Sequence, residues 1–547
     1  MLTRKFHILV LLILLSACST PTPQPTPAPS EATSSTATSI PGEVTKPAPI
    51  THETRPAGWL MFHGEESHSG VAQGTGRIDP VNGPDILATY RLFDAVTSPE
   101  DLNRLRWTST LPLADLDGDG KMEIVVTTPA IASPTRLINN GQDLSNMVQA
   151  LKYIPGDPTL KVLWTYKMDS TPAEGGLDTY SPALADANGD GLADVIFTSR
   201  DKFTRALSGK DGSLIWQYNM GAITEAGPML SDLNGDGIPE VILVTDCKSG
   251  MVSCNSDGQA SLVVLPVRAQ GDNQPLWKVE YPYKMDSAEP VIAMVHGLGK
   301  VILAGTWGGE LLAVWQTPDG KLNKTSLKLS DLEQIPGDTP PVIRTSPLVD
   351  YTHEGVLVIF GWLPSDQNAT DGRLTAVWLD VQAGTLVLKP AWTIAELDTW
   401  KSSPTLIPGA DGKNLIAMGY GLGIGPPPTQ SGTVGGCQKE YVFGGVAAVD
   451  ETGKIVWKQD FGNAEGNLRA SAAVADIDGD GQLDLVIPAG CYGKLHAFNA
   501  LSGKPEWTLQ LGPRTQTSPS IADLNGDGTL EIVLASYDGQ VYVLGAR

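Results

Sequence analysis

The 547-residue chain is short of several features that would mark a function at once. Basic residues are scarce: 38 Lys and Arg stand against 61 Asp and Glu, a formal charge of −23. A polyanion would be repelled by this field, which excludes nucleic acid as a partner. The seven histidines, His7, His52, His63, His68, His296, His353 and His496, are scattered. None stands at a zinc-ligand spacing, and none accompanies a recognisable Ser or Cys nucleophile motif. No acid–base pair can be named, so no catalytic residue is assigned and the reading leans away from an enzyme. Cysteines number five and no two are adjacent. Long apolar runs are missing too, since Ile8 to Leu15 is too short to span a bilayer as a mature helix.

What is present begins with a processing signal over residues 1–18. Arg4 and Lys5 precede the apolar run, and "LSAC" closes it at Cys18. This resembles the lipobox of bacterial lipoproteins, which implies cleavage before Cys18, lipidation of that cysteine and attachment of the mature chain to a membrane from the extracytoplasmic side. Residues 19–56 are rich in Pro, Thr and Ser and poor in apolar side chains, so they predict a disordered, semi-extended stalk. The remaining four cysteines suit an exported chain with disulfides. Of the three pairings open to them, Cys247 with Cys254 and Cys437 with Cys491 is preferred.

Residues 57–547 repeat. "ADLDGDGKMEIVV" begins at 114, "ADANGDGLADVIF" at 185, "SDLNGDGIPEVIL" at 231, "ADIDGDGQLDLVI" at 475 and "ADLNGDGTLEIVL" at 522. Asp186 and Asp232 are 46 residues apart, Asp476 and Asp523 47, a period that signals a solenoid, propeller or array. Each loop follows a short apolar lead-in, often "SP", and precedes a β-branched strand, a Gly turn, another strand, and a strand marked by Trp. Lead-ins without acidic loops at 288, 345 and 402 raise the total to eight units. The expected fold is all-β: an eight-bladed propeller of four-stranded antiparallel blades, monomeric. The last unit lacks its outer strand, and "DILATYRL" (85–92) is a spare one, so pairing the two would close the ring.

The loops and blade pattern resemble FG-GAP repeats, familiar from the head of integrin α chains. "GWLMFHGEESHSG" at 58, with the "SP…LSGKPEW" pattern, resembles pyrroloquinoline-quinone-like eight-bladed propellers over about residues 57–547. The resemblance implies a fold and leaves function open. Three classes remain. The preferred one is a surface-tethered binding or adhesion module for a saccharide or protein. The second is an envelope scaffold like the propeller lipoprotein that assists outer-membrane protein assembly. The third is a calcium-dependent polysaccharide lyase or a quinoprotein enzyme. Quinoprotein dehydrogenases carry an adjacent cysteine pair near the cofactor, which this chain lacks. His63 and His68 belong to the N-terminal resemblance and read as structural.

Calcium takes six to eight oxygens. An EF-hand would close on a twelfth-position Glu, but Val126, Phe197, Leu243, Ile487 and Leu534 stand there. These loops close at position nine. The expected ligands are Asp115, Asp117, Asp119, Lys121 and Glu123; Asp186, Asn188, Asp190, Leu192 and Asp194; Asp232, Asn234, Asp236, Ile238 and Glu240; Asp476, Asp478, Asp480, Gln482 and Asp484; and Asp523, Asn525, Asp527, Thr529 and Glu531. The seventh-position residues (Lys121, Leu192, Ile238, Gln482, Thr529) would act through backbone carbonyls. A catalytic centre would be singular, so about five Ca²⁺ are expected in a structural role.

The loops belong to one face of the ring. The insertions 129–147, 246–259 and 420–440 belong to the other, together with all four non-lipidated cysteines. Three residues before each lead-in proline, or its equivalent, a ring of positions should reach the channel mouth: Ser109, Thr179, Glu225, Ser287, Arg344, Lys401, Arg469 and Gln516, with Arg514 close by. Arg344, Lys401 and Arg469, from consecutive blades, are the candidate ligand-binding set for a carboxylate or sulfate.

Overall fold

The structure is a computed structural model that describes residues 58–92, 105–106, 110–128, 130–131, 138–139, 142–143, 147–168, 180–247, 254, 258–285, 288–333, 340–364, 372–397, 399, 401–409, 412–421, 444–461, 468–490, 492–512, 514–515 and 517–547. The signal, the stalk, Cys18, Cys437, Cys491, Ser109, Thr179, Ser287 and Gln516 lie outside the described residues, as do most of the insertions at 129–147 and 420–440.

Eight antiparallel sheets of four main strands follow one another as the blades of a propeller. Their first strands are Leu113–Ala114, Ala183–Ala185, Met229–Ser231, Val291–Val295, Leu348–Tyr351, Thr405–Ile407, Ala473–Asp476 and Ser520–Ala522. Each is the lead-in recognised in sequence, including those of the three units without acidic loops. Among the described residues the only helical element is a single 3₁₀ turn, Leu329–Asp331, and no helix is long and apolar enough to cross a membrane.

The second strands read as continuous apolar runs because both sheet faces are covered. In Glu123–Thr127 every residue is buried. Ile124 and Val126 join the core toward blade 8, while Val125 joins the core toward blade 2. Period-two alternation thus directs side chains to different neighbours rather than to core and water.

Closure occurs where the spare strand predicted it. Asp85–Arg91 pairs antiparallel with Gln540–Gly545, from Asp85 opposite Gly545 to Arg91 opposite Gln540. This completes blade 8 and covers the edge that Gln540–Gly545 would otherwise present.

Two devices seal the joints between blades. Outer-strand tryptophans reach the following blade: the indole N–H of Trp164, Trp216, Trp392 and Trp457 donates to the carbonyls of Gly209, Val267, Glu451 and Ala500 at 2.5–2.9 Å. A Cβ on Gly503 would lie 2.5 Å from the Trp457 ring, so glycine is required there for the ring to seat. At the lead-ins, a backbone N–H of one blade donates to a hydroxyl of the next. Thr110 donates to Ser181 Oγ, Glu289 to Ser346 Oγ, Ser346 to Ser403 Oγ, Ser403 to Ser471 Oγ and Ser471 to Ser518 Oγ, at 2.8–3.0 Å. The "SP" signature therefore places a hydroxyl where an otherwise orphaned buried donor needs an acceptor.

The segment preceding the closing strand fills the centre. Trp59 exchanges both backbone bonds with Leu113 of blade 1. The carbonyls of Leu60, Glu66, Ser67, Ser69 and Gly70 then accept from Leu184, Ile292, Val349, Leu406 and Val474, in blades 2, 4, 5, 6 and 7. Thr75 accepts from Leu530 of blade 8. First strands lie nearest the axis of a propeller, so residues 59–75 wind around the inner wall in blade order and plug the channel.

Candidate functional site

The five acidic loops share one hydrogen-bond plan. The first Asp accepts from the N–H groups at positions four and six: Asp115 Oδ1 from Gly118 at 2.7 Å and Oδ2 from Gly120 at 2.9 Å. Blades 2, 3, 7 and 8 repeat both bonds. Gly118 and Gly120 both take φ of +81°, so position four needs glycine as much as position six does. The acid at position nine is buried in every loop and accepts from the N–H at position two, as Glu123 does from Leu116 at 2.9 Å.

Burial is costly for these ninth-position carboxylates. It pushes Glu123, Asp194 and Glu240 above the usual carboxylate range. Glu531 is pushed up to about 7, by burial first and then by Asp527 and Asp523. Asp484 is pushed up to about 8, by burial and then by Glu506. Buried carboxylates at the closed end of an oxygen-rich loop are the donor set a hard divalent cation would offset. In blade 7 the carboxyl oxygens of Asp476, Asp478 and Asp484 lie within 4.8 Å of one another, with Glu506 as a further acid at hand.

Glu506 escaped the motif because it comes from the fourth strand. A signal existed: it precedes Trp507, where Leu163, Ile215, Leu276, Ala391 and Val456 precede the tryptophans of other blades. A second omission is Lys152, in the third strand of blade 1. Its Nζ lies 2.5 Å from Asp117 Oδ2, 2.8 Å from Asp119 Oδ2 and 3.2 Å from Glu123 Oε1. Arg268 of blade 3 reaches loop 2, but it pairs with Asp186 alone, at 2.6 Å.

At the opposite end of the channel, Arg344, Lys401 and Arg469 come together as expected. They line one cavity of about 50 Å³ with Glu225, Glu289 and the lead-in serines, and Phe62 of the plug also borders it. Glu289 was not anticipated. It is half-buried, accepts from Ser346 Oγ at 2.6 Å and from the Gly227 N–H at 3.2 Å, and desolvation raises its pKa. The Arg344 guanidinium lies 4.3 Å from the Trp307 ring centre, and Lys284 lies 4.5 Å from the same centre. Lys284 also pairs with Asp246 at 3.0 Å. Asp246 adjoins the Cys247–Cys254 disulfide, which forms as paired in the sequence reading. The mouth is thus mixed in charge, with its cations anchored on aromatic and acidic neighbours.

The plug carries two buried histidines. His63 Nδ1 donates to the His68 carbonyl at 3.1 Å, and His68 Nδ1 donates to the Pro347 carbonyl at 3.0 Å. Phe62 stacks on His63 with centroids 4.2 Å apart. Both Nε2 atoms are buried without a hydrogen-bond partner among the described residues. The structural reading of the pair agrees with these contacts.

Comparison with known proteins gives partial matches. A family model for the FG-GAP-like repeat matches residues 186–243, which cover two acidic loops. A family model described as outer membrane protein assembly factor BamB matches residues 442–547. A search of curated protein sequences returned no match. Among solved structures, a quinohemoprotein alcohol dehydrogenase from Comamonas testosteroni aligns with a TM-score of 0.53 at 13% identity, covering 90% of this chain and 81% of that one. The quinohemoprotein alcohol dehydrogenase ADHIIG from Pseudomonas putida HK5 aligns with a TM-score of 0.54 at 11% identity, covering 90% and 80%. At such identities the likeness is one of fold.

Proposed function

We propose that this chain is a lipid-anchored, extracytoplasmic binding module, a propeller held rigid by calcium, which recognises a saccharide or protein through the face opposite the acidic loops. The observation that carries this reading is the convergence of Arg344, Lys401 and Arg469, from three consecutive blades, on a single cavity. Cationic side chains so placed suit a carboxylate or sulfate. The cavity is about 50 Å³, far below the roughly 300–1,000 Å³ of sites that enclose a whole small molecule. It would take one anionic head group, with the rest of the ligand lying across the surrounding connections. Calcium would be held by the side chains at positions one, three, five and nine and the carbonyl at position seven, in a structural role.

The test is a thermal-shift series on the full chain in saturating calcium, with acidic saccharides, neutral saccharides and pyrroloquinoline quinone. An Arg344→Ala/Lys401→Ala/Arg469→Ala variant runs alongside. The expected result is a shift with acidic saccharide that the variant loses. No shift with any of them would retire the channel mouth as a saccharide site. A scaffold role is the second reading, favoured by the assembly-factor family match over residues 442–547.

A further inference from the structure

The acidic loops are alike in sequence but not in what faces them across the sheet. Where a loop is closed at position nine, that acid pairs with the end of the third strand or the residue just beyond it. The partner is Lys152 for Glu123, Pro266 for Glu240 and Asn499 for Asp484. In blades 2 and 8 the registers Val195–Leu207 and Ile532–Leu544 bring Ser208 and Gly545 to that place. Only blade 1 puts a cation there.

That cation fits the loop closely. The Lys152 ammonium donates to Asp117 at 2.5 Å and also lies 2.8 Å from Asp119 and 3.2 Å from Glu123, whose Oε1 is buried without a hydrogen-bond partner among the described residues. These are the side chains at positions three, five and nine, which an ion would need. The lysine side chain is only 16% exposed and Glu123 is fully buried, so the contact is shielded from solvent. A calcium ion entering this loop would have to displace the ammonium from all three partners. Arg268 on loop 2 differs, because it holds one carboxylate from outside and is itself 45% exposed.

We propose that blade 1 carries its own cation: Lys152 takes the place of the metal, and the chain binds four Ca²⁺, in blades 2, 3, 7 and 8. This rests on the calcium reading above and sharpens it from about five ions to four at named loops. Blade 1 is also where the closing blade meets the rest, through the Met122 N–H donating to the Leu524 carbonyl at 2.9 Å.

Native mass spectrometry of the full chain after calcium saturation counts the ions directly. Four are expected in the unaltered chain and five in Lys152→Gln. Five ions in the unaltered chain would overturn the assignment of Lys152. A count that stays at four in Lys152→Gln would do the same. No ions in any form would overturn the calcium reading itself.

Discussion

Protonating the plug should loosen the ring, and the size of the effect follows from two side chains. His63 and His68 each spend Nδ1 on a carbonyl, which leaves Nε2 as the only place for a second proton. That atom is buried without a partner in both, so the imidazolium would be neither solvated nor paired. Burial holds His63 at about 4, and burial with the nearby His63 charge holds His68 at about 3, against an ordinary 6.5. As pH falls below 6.5 the unfolded chain takes up protons that the native ring refuses, so stability falls with it. At pH 5 each histidine costs about 2 kcal/mol relative to pH 7.5, and the two together about 4 kcal/mol. The assay is urea unfolding in saturating calcium at both pH values, for the natural chain and for His63→Asn/His68→Asn. Asparagine tolerates the φ of +53° and +58° at these positions, and its amide can donate to the same carbonyls. The natural chain should lose about 4 kcal/mol more than the variant over this interval. Equal losses would refute the reasoning.

Calcium removal should matter more at high pH. In the metal-free protein, raised carboxyls at Asp484 (about 8) and Glu531 (about 7) contribute stability at low pH that is lost as pH rises through those values. The gap in melting temperature with and without chelator should therefore be wider at pH 8 than at pH 5.5, and a constant gap would contradict it. Ser471→Ala leaves the buried Ser403 N–H without its 2.8 Å acceptor and should cost about 1–3 kcal/mol in urea unfolding. Exposed Ser502 offers the control, since its hydroxyl serves only a surface turn and its loss should be near neutral.

Much of this fold could be read because each blade repeats its instructions. Counting lead-ins found the three blades without acidic loops, and the arithmetic of strands left Asp85–Arg91 as the piece that completes blade 8. The shared hydrogen-bond plan of the acidic loops was legible for the same reason, being local in sequence. Lys152 and Glu506 were not, because their roles depend on cross-strand register and on a sheet's fourth strand meeting its first turn. The plug was hidden too: its bonds to seven blades are made by backbone groups, which carry no side-chain signature. At the mouth, equivalent repeat positions placed Arg344, Lys401 and Arg469, whereas Glu289 stands at a lead-in site that holds serine in several other blades.

The way the ring is fastened also sets a clock on its formation. Val474 meets Gly70, and Gly545 meets Asp85, so early residues wait for the final ones before their contacts exist. Chains whose contacts span such separations fold slowly. Until the C-terminus emerges, the Asp85–Arg91 strand has no partner and the inner walls of the early blades have only part of their lining. A chain of this design passes its most association-prone moment before its last residues arrive, and a truncation of a few residues at the far end would prolong that moment indefinitely.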